Sequence, residues 1–450
     1  MGERGYDMSD TINSADPADP AVLTGIAQLV TNCADPTDPA APMTPVGDLG
    51  TIEDAVLVVG DGRIIWAGER VKLPEEYRTG ARHIDLGGRT VIPGFVDSHS
   101  HLAFAGDRGD EFESRMAGLK YDGGGILRTV NATRAASEDE LRANLRRLMA
   151  EARSQGTTTM EIKSGYGLDI PNETKLLRVA AEFTEETTFL GGHAVPEEYR
   201  GSGGLGDRDD YVRLVCGPML DAVIADGHAK WSDVFCEPHS PYAFDGDETR
   251  AMLSAAKRRG LALHVHGSQL GPGPGPRIAC ELGAASVDHC TFLTDDDLDA
   301  LAGTWPSDLS GGFVVEGGSD SGVTMLGTVA TFLPAVEFST KQPYPDMRRA
   351  IDAGVPVAIA SDCNPGTCFS DSMPFAVAIA VREMGLTIPQ AIWAATAGGA
   401  LALRRSDVGV IRRGAKADLA VVDAPSYAHI VYRPGVPLTR AFDPNTPHPA

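Results

Sequence analysis

The stretch from Pro93 to Arg108 reads PGFVDSHSHLAFAGDR. A short apolar run closes on two histidines, His99 and His101, and an arginine stands seven residues after the second. Side chains alternate along a β-strand, so His99 and His101 share one face with Asp97, and Ser100 points away. Two neutral imidazoles on one face at a strand end can bind a single divalent ion. Two hydrogen-bonded structural histidines are the competing reading, and the rest of the chain decides against it.

The same pattern recurs. After GFVDSHSH come TTTMEIKSG, TTFLGGHA, WSDVFCE, LALHVHG, AASVDHC, TVATFLPA and PVAIASDC. Helical patterns separate many of them, SEDELRANLRRLMAEARSQG and DETRAMLSAAKRRG among them. Eight strands alternating with helices predict an α/β fold of the (β/α)8, TIM-like barrel type. Nearly every strand ends in a chemically capable residue: His99 with His101, Lys163 with Tyr166, His193, Glu237, His264 with His266, His289 and Asp362. Active sites of such barrels lie at the C-terminal strand ends. Scattered core histidines would not keep to that position.

A catalytic metal needs further protein ligands and an open position. In LALHVHG the residue nearer the strand's end, His266, is the expected ligand, with His264 deeper and structural. Asp362 ends the eighth strand, which closes beside the first. Three histidines and one aspartate suit Zn²⁺ or Fe²⁺ rather than Mg²⁺. A carbamylated Lys163 bridging two metals fits less well, because it lies far round the barrel from the fifth strand. One metal per chain is expected, with Lys163 in a supporting role.

Strand pairs flank the barrel on both sides: VLVVGDGRIIWAGE and HIDLGGRTVIPGFVDSH before it, GAKADLAVVDA after it. They predict a small β-sandwich domain built from both chain ends. The expected division is a disordered acidic tail over 1–20, the first part of the small domain over 21–92, the barrel over 93–405, and the rest of the small domain with a tail over 406–450. The stretch from Gly303 to Thr324, rich in Gly, Ser and Asp, reads as a loop insertion.

Composition narrows the function. The 450 residues carry 39 Lys and Arg against 62 Asp and Glu, a net charge of −23, which argues against nucleic acid or anionic membrane as partners. Hydrophobic residues make up 42%, enough for a large core. The seven cysteines show no C-x-x-C spacing, so neither a disulfide framework nor a zinc ribbon is expected. No apolar run reaches about 18 residues, and the start lacks a signal-peptide pattern, so a cytoplasmic location is expected.

The segments HSHLAFAGDRGDEF, EIKSGYGLD, FLGGHAVP, VDHCTFL and SDCNPGTCFSDSMPF, spread over roughly Ala21 to Val436, resemble the amidohydrolase superfamily. Within it they resemble the branch that hydrolyses the cyclic amide C–N bond of 4-imidazolone-5-propanoate to N-formimidoyl-L-glutamate in histidine degradation. The resemblance implies one divalent metal, Zn or Fe, held by His99, His101, His266 and Asp362. It implies substrate contacts from Arg108, Tyr166, His193, Gln269, Asn364, Gly366 and Thr367, and a catalytic role for His289. A homodimer acting on a small carboxylated substrate goes with it. Gln269 stands where some members of the family have Glu. It can orient water or substrate but cannot act as a carboxylate base, which leaves that work to His289 and Asp362. Arg108 suits a propanoate, because its planar fork matches a carboxylate. The segment YDGGGI after Leu119 and Lys120 is shorter than in the family, and the Gly303–Thr324 insertion is extra. A deaminase of a neutral ring and a barrel with a purely structural metal are the competing readings. Neither gives Arg108 a purpose.

Overall fold

A computed structural model describes residues 20–79, 81–118, 125–201, 204–314 and 327–444. Residues 1–19 of the expected tail, 121–124 of YDGGGI, 315–324 of the insertion and 445–450 lie outside the described residues.

Among the described residues, fifteen strands run in chain order: β1 (Ala21–Leu29), β2 (Ile52–Gly60), β3 (Arg63–Glu69), β4 (Arg82–Pro93), β5 (Phe95–Asp97), β6 (Thr157–Met160), β7 (Ile162–Lys163), β8 (Thr187–Gly192), β9 (Trp231–Cys236), β10 (Ala262–Gly267), β11 (Ser286–His289), β12 (Val329–Phe332), β13 (Val357–Ile359), β14 (Leu419–Val422) and β15 (Thr439–Phe442). β7 to β13 form a seven-stranded sheet in sequential order, and its pairs are parallel. β5 pairs in parallel with β6. The sheet curls back on itself: the backbone N–H of Asp362, beyond β13, donates to His99 O at 2.9 Å, and that of His101 donates to Cys363 O at 3.0 Å. The result is a TIM-like barrel whose strands coincide with the eight apolar runs.

The second barrel strand is split at Glu161. The Glu161 N–H donates to Asp97 O on one side, and the Ile162 N–H donates to Glu186 O on the other. The backbone changes partners there and turns the fully buried Glu161 carboxyl inward.

The strands from the two chain ends are hydrogen-bonded as one six-stranded sheet in the order β15-β14-β4-β1-β2-β3. They share one ladder, and a separate sandwich of two facing sheets is not confirmed. β4 is twelve residues long and pairs with both β1 and β14, so it joins the N-terminal hairpins to the C-terminal pair in one ladder. β2 and β3 turn at Asp61 and Gly62, with φ of +50° and +69°. That is the geometry for which Asp-Gly is preferred in two-residue hairpins. Helices cover the barrel. Glu138–Ser154, for instance, starts with a capping box between Ser137 and Glu140 and buries Leu141, Leu145 and Leu148.

Candidate active site

The hydrogen bonds that join the first and eighth strands also set the first ligands. Asp362 Oδ1 lies 3.3 Å from His101 Nε2 and 3.6 Å from His99 Nε2. His101 Nε2 is 3.3 Å from His99 Nε2 and 3.2 Å from His266 Nε2. All four residues are buried. Burial, reinforced by neighbouring cationic groups, holds the imidazoles of His99 and His101 well below the ordinary histidine range, so both are neutral.

Two carboxylates stand behind the imidazoles. His99 Nδ1 is 2.7 Å from Asp288 Oδ2, and His266 Nδ1 is 2.8 Å from Asp233 Oδ2. A carboxylate only accepts, so His99 donates Nδ1–H to Asp288 and keeps its Nε2 lone pair for the centre, while the His266–Asp233 approach is an ion-pair contact. Two further ring nitrogens and a carboxylate oxygen converge at just over 3 Å around His101 Nε2. Three imidazoles and one carboxylate converging in this way fit one divalent ion held by His99, His101, His266 and Asp362.

Beneath this floor Lys163 is fully buried, with Nζ 2.8 Å from Glu161 Oε1 and 3.0 Å from Asp233 Oδ2. Burial alone would lower its pKa, but Glu161, Asp233 and Asp288 outweigh that and raise it, so it stays an ammonium. It is a counter-ion to the carboxylate that orients His266, in keeping with a supporting role. His264 lies deeper, with Nδ1 2.8 Å from Ser286 Oγ and its ring 4.4 Å from that of Trp231.

His289 reaches the site by backbone strain. Its φ is +81°, uncommon for a residue with a Cβ. Its ring centroid comes to 5.3 Å from that of His266 and 5.6 Å from that of His99. Burial holds it well below the ordinary range, so it is a neutral base.

Above the floor is a cavity whose wall includes Arg108, Tyr166, His193, Gln269, Asn364 and Thr367, with Phe235, Tyr242, Leu270 and Ile126 supplying apolar surface. His193 stacks on His101, with centroids 5.0 Å apart, and its Nδ1 is 2.9 Å from Gly165 O. Arg108 is gripped by Glu111, Nε to Oε2 at 2.8 Å and Nη2 to Oε1 at 2.6 Å. Sequence motifs alone do not single out Glu111, although its spacing of three from Arg108 at a helix start is the signal that could have found it.

Two residues of the Asp362–Thr367 loop act differently from simple contacts. Asn364 Oδ1 accepts the N–H groups of Gly366 and Thr367 at 2.8 and 2.7 Å, and Nδ2 donates to Asp362 O at 2.7 Å and Thr367 Oγ1 at 2.8 Å. Its amide shapes the loop. Gly366 is not among the cavity-lining residues; a Cβ there would lie 2.3 Å from Arg108 Nη1. Gly366 makes room for the guanidinium.

Residues 90–439 match the amidohydrolase family. Among curated relatives, an imidazolonepropionase of Salinispora arenicola is 55% identical over 421 residues, covering 93% of this chain and 96% of that one. One from Mycolicibacterium smegmatis is 52% identical over 420 residues, covering 93% and 95%. The chain belongs to the imidazolonepropionase family of amidohydrolases. It is therefore a hydrolase acting on C–N bonds. Similar solved structures include a guanine deaminase from C. acetobutylicum, with TM-score 0.61, 13% identity and coverage of 90% and 91%. An atrazine chlorohydrolase from Arthrobacter aurescens has TM-score 0.59, 17% identity and coverage of 94% and 90%. At such identities they speak for the barrel fold alone. No helix among the described residues is long and apolar enough to cross a membrane.

Proposed function

We propose that this chain hydrolyses the cyclic amide C–N bond of 4-imidazolone-5-propanoate, giving N-formimidoyl-L-glutamate. The carrying observation is that a buried arginine, Arg108, borders the same cavity as His101, His266 and Asp362 of the imidazole–carboxylate cluster. A carboxylated ring needs both; a neutral ring needs only the second.

His99, His101, His266 and Asp362 would hold one Zn²⁺ or Fe²⁺. When bound, such an ion supplies Lewis acidity, polarising a carbonyl and lowering the pKa of water to about 7. The chain's own groups do the rest. Arg108 takes the propanoate and fixes the ring over the floor. Tyr166 and the outward Nε2 of His193 bind the ring's edge. Water adds to the ring carbonyl carbon, the C–N bond breaks, and the leaving nitrogen takes a proton. His289 and Asp362 border the cavity and serve as the groups that accept the water's proton and return it to nitrogen. Gln269 is held by its backbone N–H to Glu237 Oε2 at 3.0 Å and aims its amide at water or substrate. The same reading includes a homodimer working in the cytoplasm. The net charge of −23 supports a small-molecule partner over nucleic acid or an anionic membrane.

The test is disappearance of 4-imidazolone-5-propanoate with identification of the product, before and after chelation and after reloading with Zn²⁺ or Fe²⁺. Full activity in demonstrably metal-free protein would overturn the mechanism. Turnover of a neutral ring unaffected by Arg108→Ala, with no turnover of the imidazolone, would overturn the substrate.

A further inference from the structure

Below the loop that carries Tyr166 lies a carboxylate the mechanism does not use. Glu173 belongs to the first turn of the helix Ile170–Ala181 and is fully buried. Its Oε1 accepts the backbone N–H groups of Gly165, Gly167 and Leu168 at 3.1, 2.8 and 2.8 Å, and Oε2 lies 3.2 Å from the Gly165 nitrogen. Three N–H groups of the loop thus converge on one side chain. The convergence needs an unusual backbone: φ is +91° at Gly165 and +55° at Leu168. It also needs close approach, since a Cβ on Gly167 would come within 2.6 Å of the Glu173 backbone nitrogen.

The pinned loop holds two cavity residues at once. Tyr166 sits between the anchored Gly165 and Gly167, its ring centroid 5.2 Å from that of His193. The carbonyl of Gly165 accepts from His193 Nδ1 at 2.9 Å, which leaves Nε2 of that ring as an acceptor. Without Glu173, three buried N–H groups lose their acceptor and the positive-φ loop loses what over-determines it. We propose that Glu173 is a positioning residue for substrate binding, acting through the Gly165–Leu168 backbone on Tyr166 and His193. This rests on the reading of those two residues as substrate contacts.

The experiment uses metal-loaded, full-length Glu173→Gln and Glu173→Asp, with metal content and unfolding curves measured beside the kinetics. The Gln variant turns an acceptor into a group that also donates, and the Asp variant withdraws the carboxylate by one methylene. The expected result is a KM for 4-imidazolone-5-propanoate raised about tenfold or more, kcat within about threefold, and metal content unchanged. His193→Ala raises KM on its own and adds little in the Glu173→Gln background, because both act on the same contact. If His193→Ala and Tyr166→Phe leave KM unchanged, the reading of those contacts fails and the proposal falls with it. If they raise KM but Glu173→Gln does not, or if the effects multiply independently, the proposal alone is overturned. Failure of both Glu173 variants to give soluble, metal-loaded protein assigns Glu173 to folding and also overturns it.

Discussion

Gly366→Ala tests the substrate-binding geometry without touching a polar side chain. Gly366 is not among the glycines with positive φ, so alanine suits its backbone. The new Cβ would lie 2.3 Å from Arg108 Nη1 and 2.9 Å from Cζ, against an ordinary contact of about 3.5 Å or more. Something must move by about 1 Å, and the guanidinium, at the end of a flexible side chain, moves more easily than the loop backbone. Glu111 already holds the Nε and Nη2 edge, so the displacement falls on how Arg108 meets the substrate. A charge-assisted hydrogen bond is worth about 1.5–3 kcal/mol, which corresponds to roughly 10- to 100-fold in affinity. KM for 4-imidazolone-5-propanoate should rise by that factor with kcat little changed, because the interaction is equally present in ground and transition states. Stability to urea should change by less than about 1 kcal/mol. The assay is steady-state kinetics of Gly366→Ala, Arg108→Ala and the double variant. The double variant should be no worse than Arg108→Ala, since both remove one contact. An unchanged KM in Gly366→Ala, where Arg108→Ala raises it, refutes the geometry; so does full additivity.

Asp288→Asn removes the charge 2.7 Å from His99 Nδ1; metal affinity should fall about 10- to 100-fold in a chelator competition, and an unchanged affinity counts against Asp288 as the group that orients His99. Lys163→Met leaves Glu161 and Asp233 buried without their shared ammonium, so the urea midpoint should drop by the equivalent of about 3–5 kcal/mol, and wild-type stability would show that the three charges do not depend on one another. Glu337 is buried, takes a hydrogen bond from Thr291 Oγ1 at 2.6 Å, and is pushed by burial up to about 7 from 4.5. The folded state therefore binds a proton that the unfolded chain releases, so this group's contribution is complete below pH 4.5 and is lost as pH rises to about 7, about 3 kcal/mol in all. Glu337→Gln should flatten that decline in urea unfolding measured from pH 5 to 8; a variant with the wild-type slope would exclude Glu337 as its source.

The barrel was legible because its strands are short apolar runs that each end in a polar group, a pattern that survives errors in boundaries. The annex was less so. Its strands could be read, but their pairing could not. β1 meets β4 in parallel register from Ala21 opposite Arg82, and β4 meets β14 across some three hundred residues of barrel. Nothing in local spacing records that one long strand serves both neighbours, so a sandwich and a single sheet look alike in sequence. The break of the second strand at Glu161 is hidden for the same reason, since it arises from a change of neighbours rather than from any breaker residue.

Within the site, alternation along a strand accounts for His99 and His101 but would have placed His289 wrongly. On β11 the inward residues are Ser286 and Asp288, joined by a hydrogen bond of 2.6 Å. By parity His289 faces out, and only its φ of +81° turns it toward the other imidazoles. The orienting carboxylates were illegible because each comes from a strand other than its histidine's: Asp288 of β11 serves His99, just past β5, and Asp233 of β9 serves His266 of β10. That exchange exists only once the barrel has closed. It also explains the depth of Lys163. Four buried carboxyls, Glu161, Asp233, Asp288 and Asp362, gather under the cavity, and burial pushes Glu161 up to about 8 and Asp288 up to about 6. Lys163 is the ammonium among them, 2.8 Å from Glu161 and 3.0 Å from Asp233. Burial holds the imidazoles of His99, His101 and His289 neutral beside them, and a divalent cation fits the donor set at that centre. The sequence displays the donor residues; the carboxyls that gather beneath them become visible only in the folded chain.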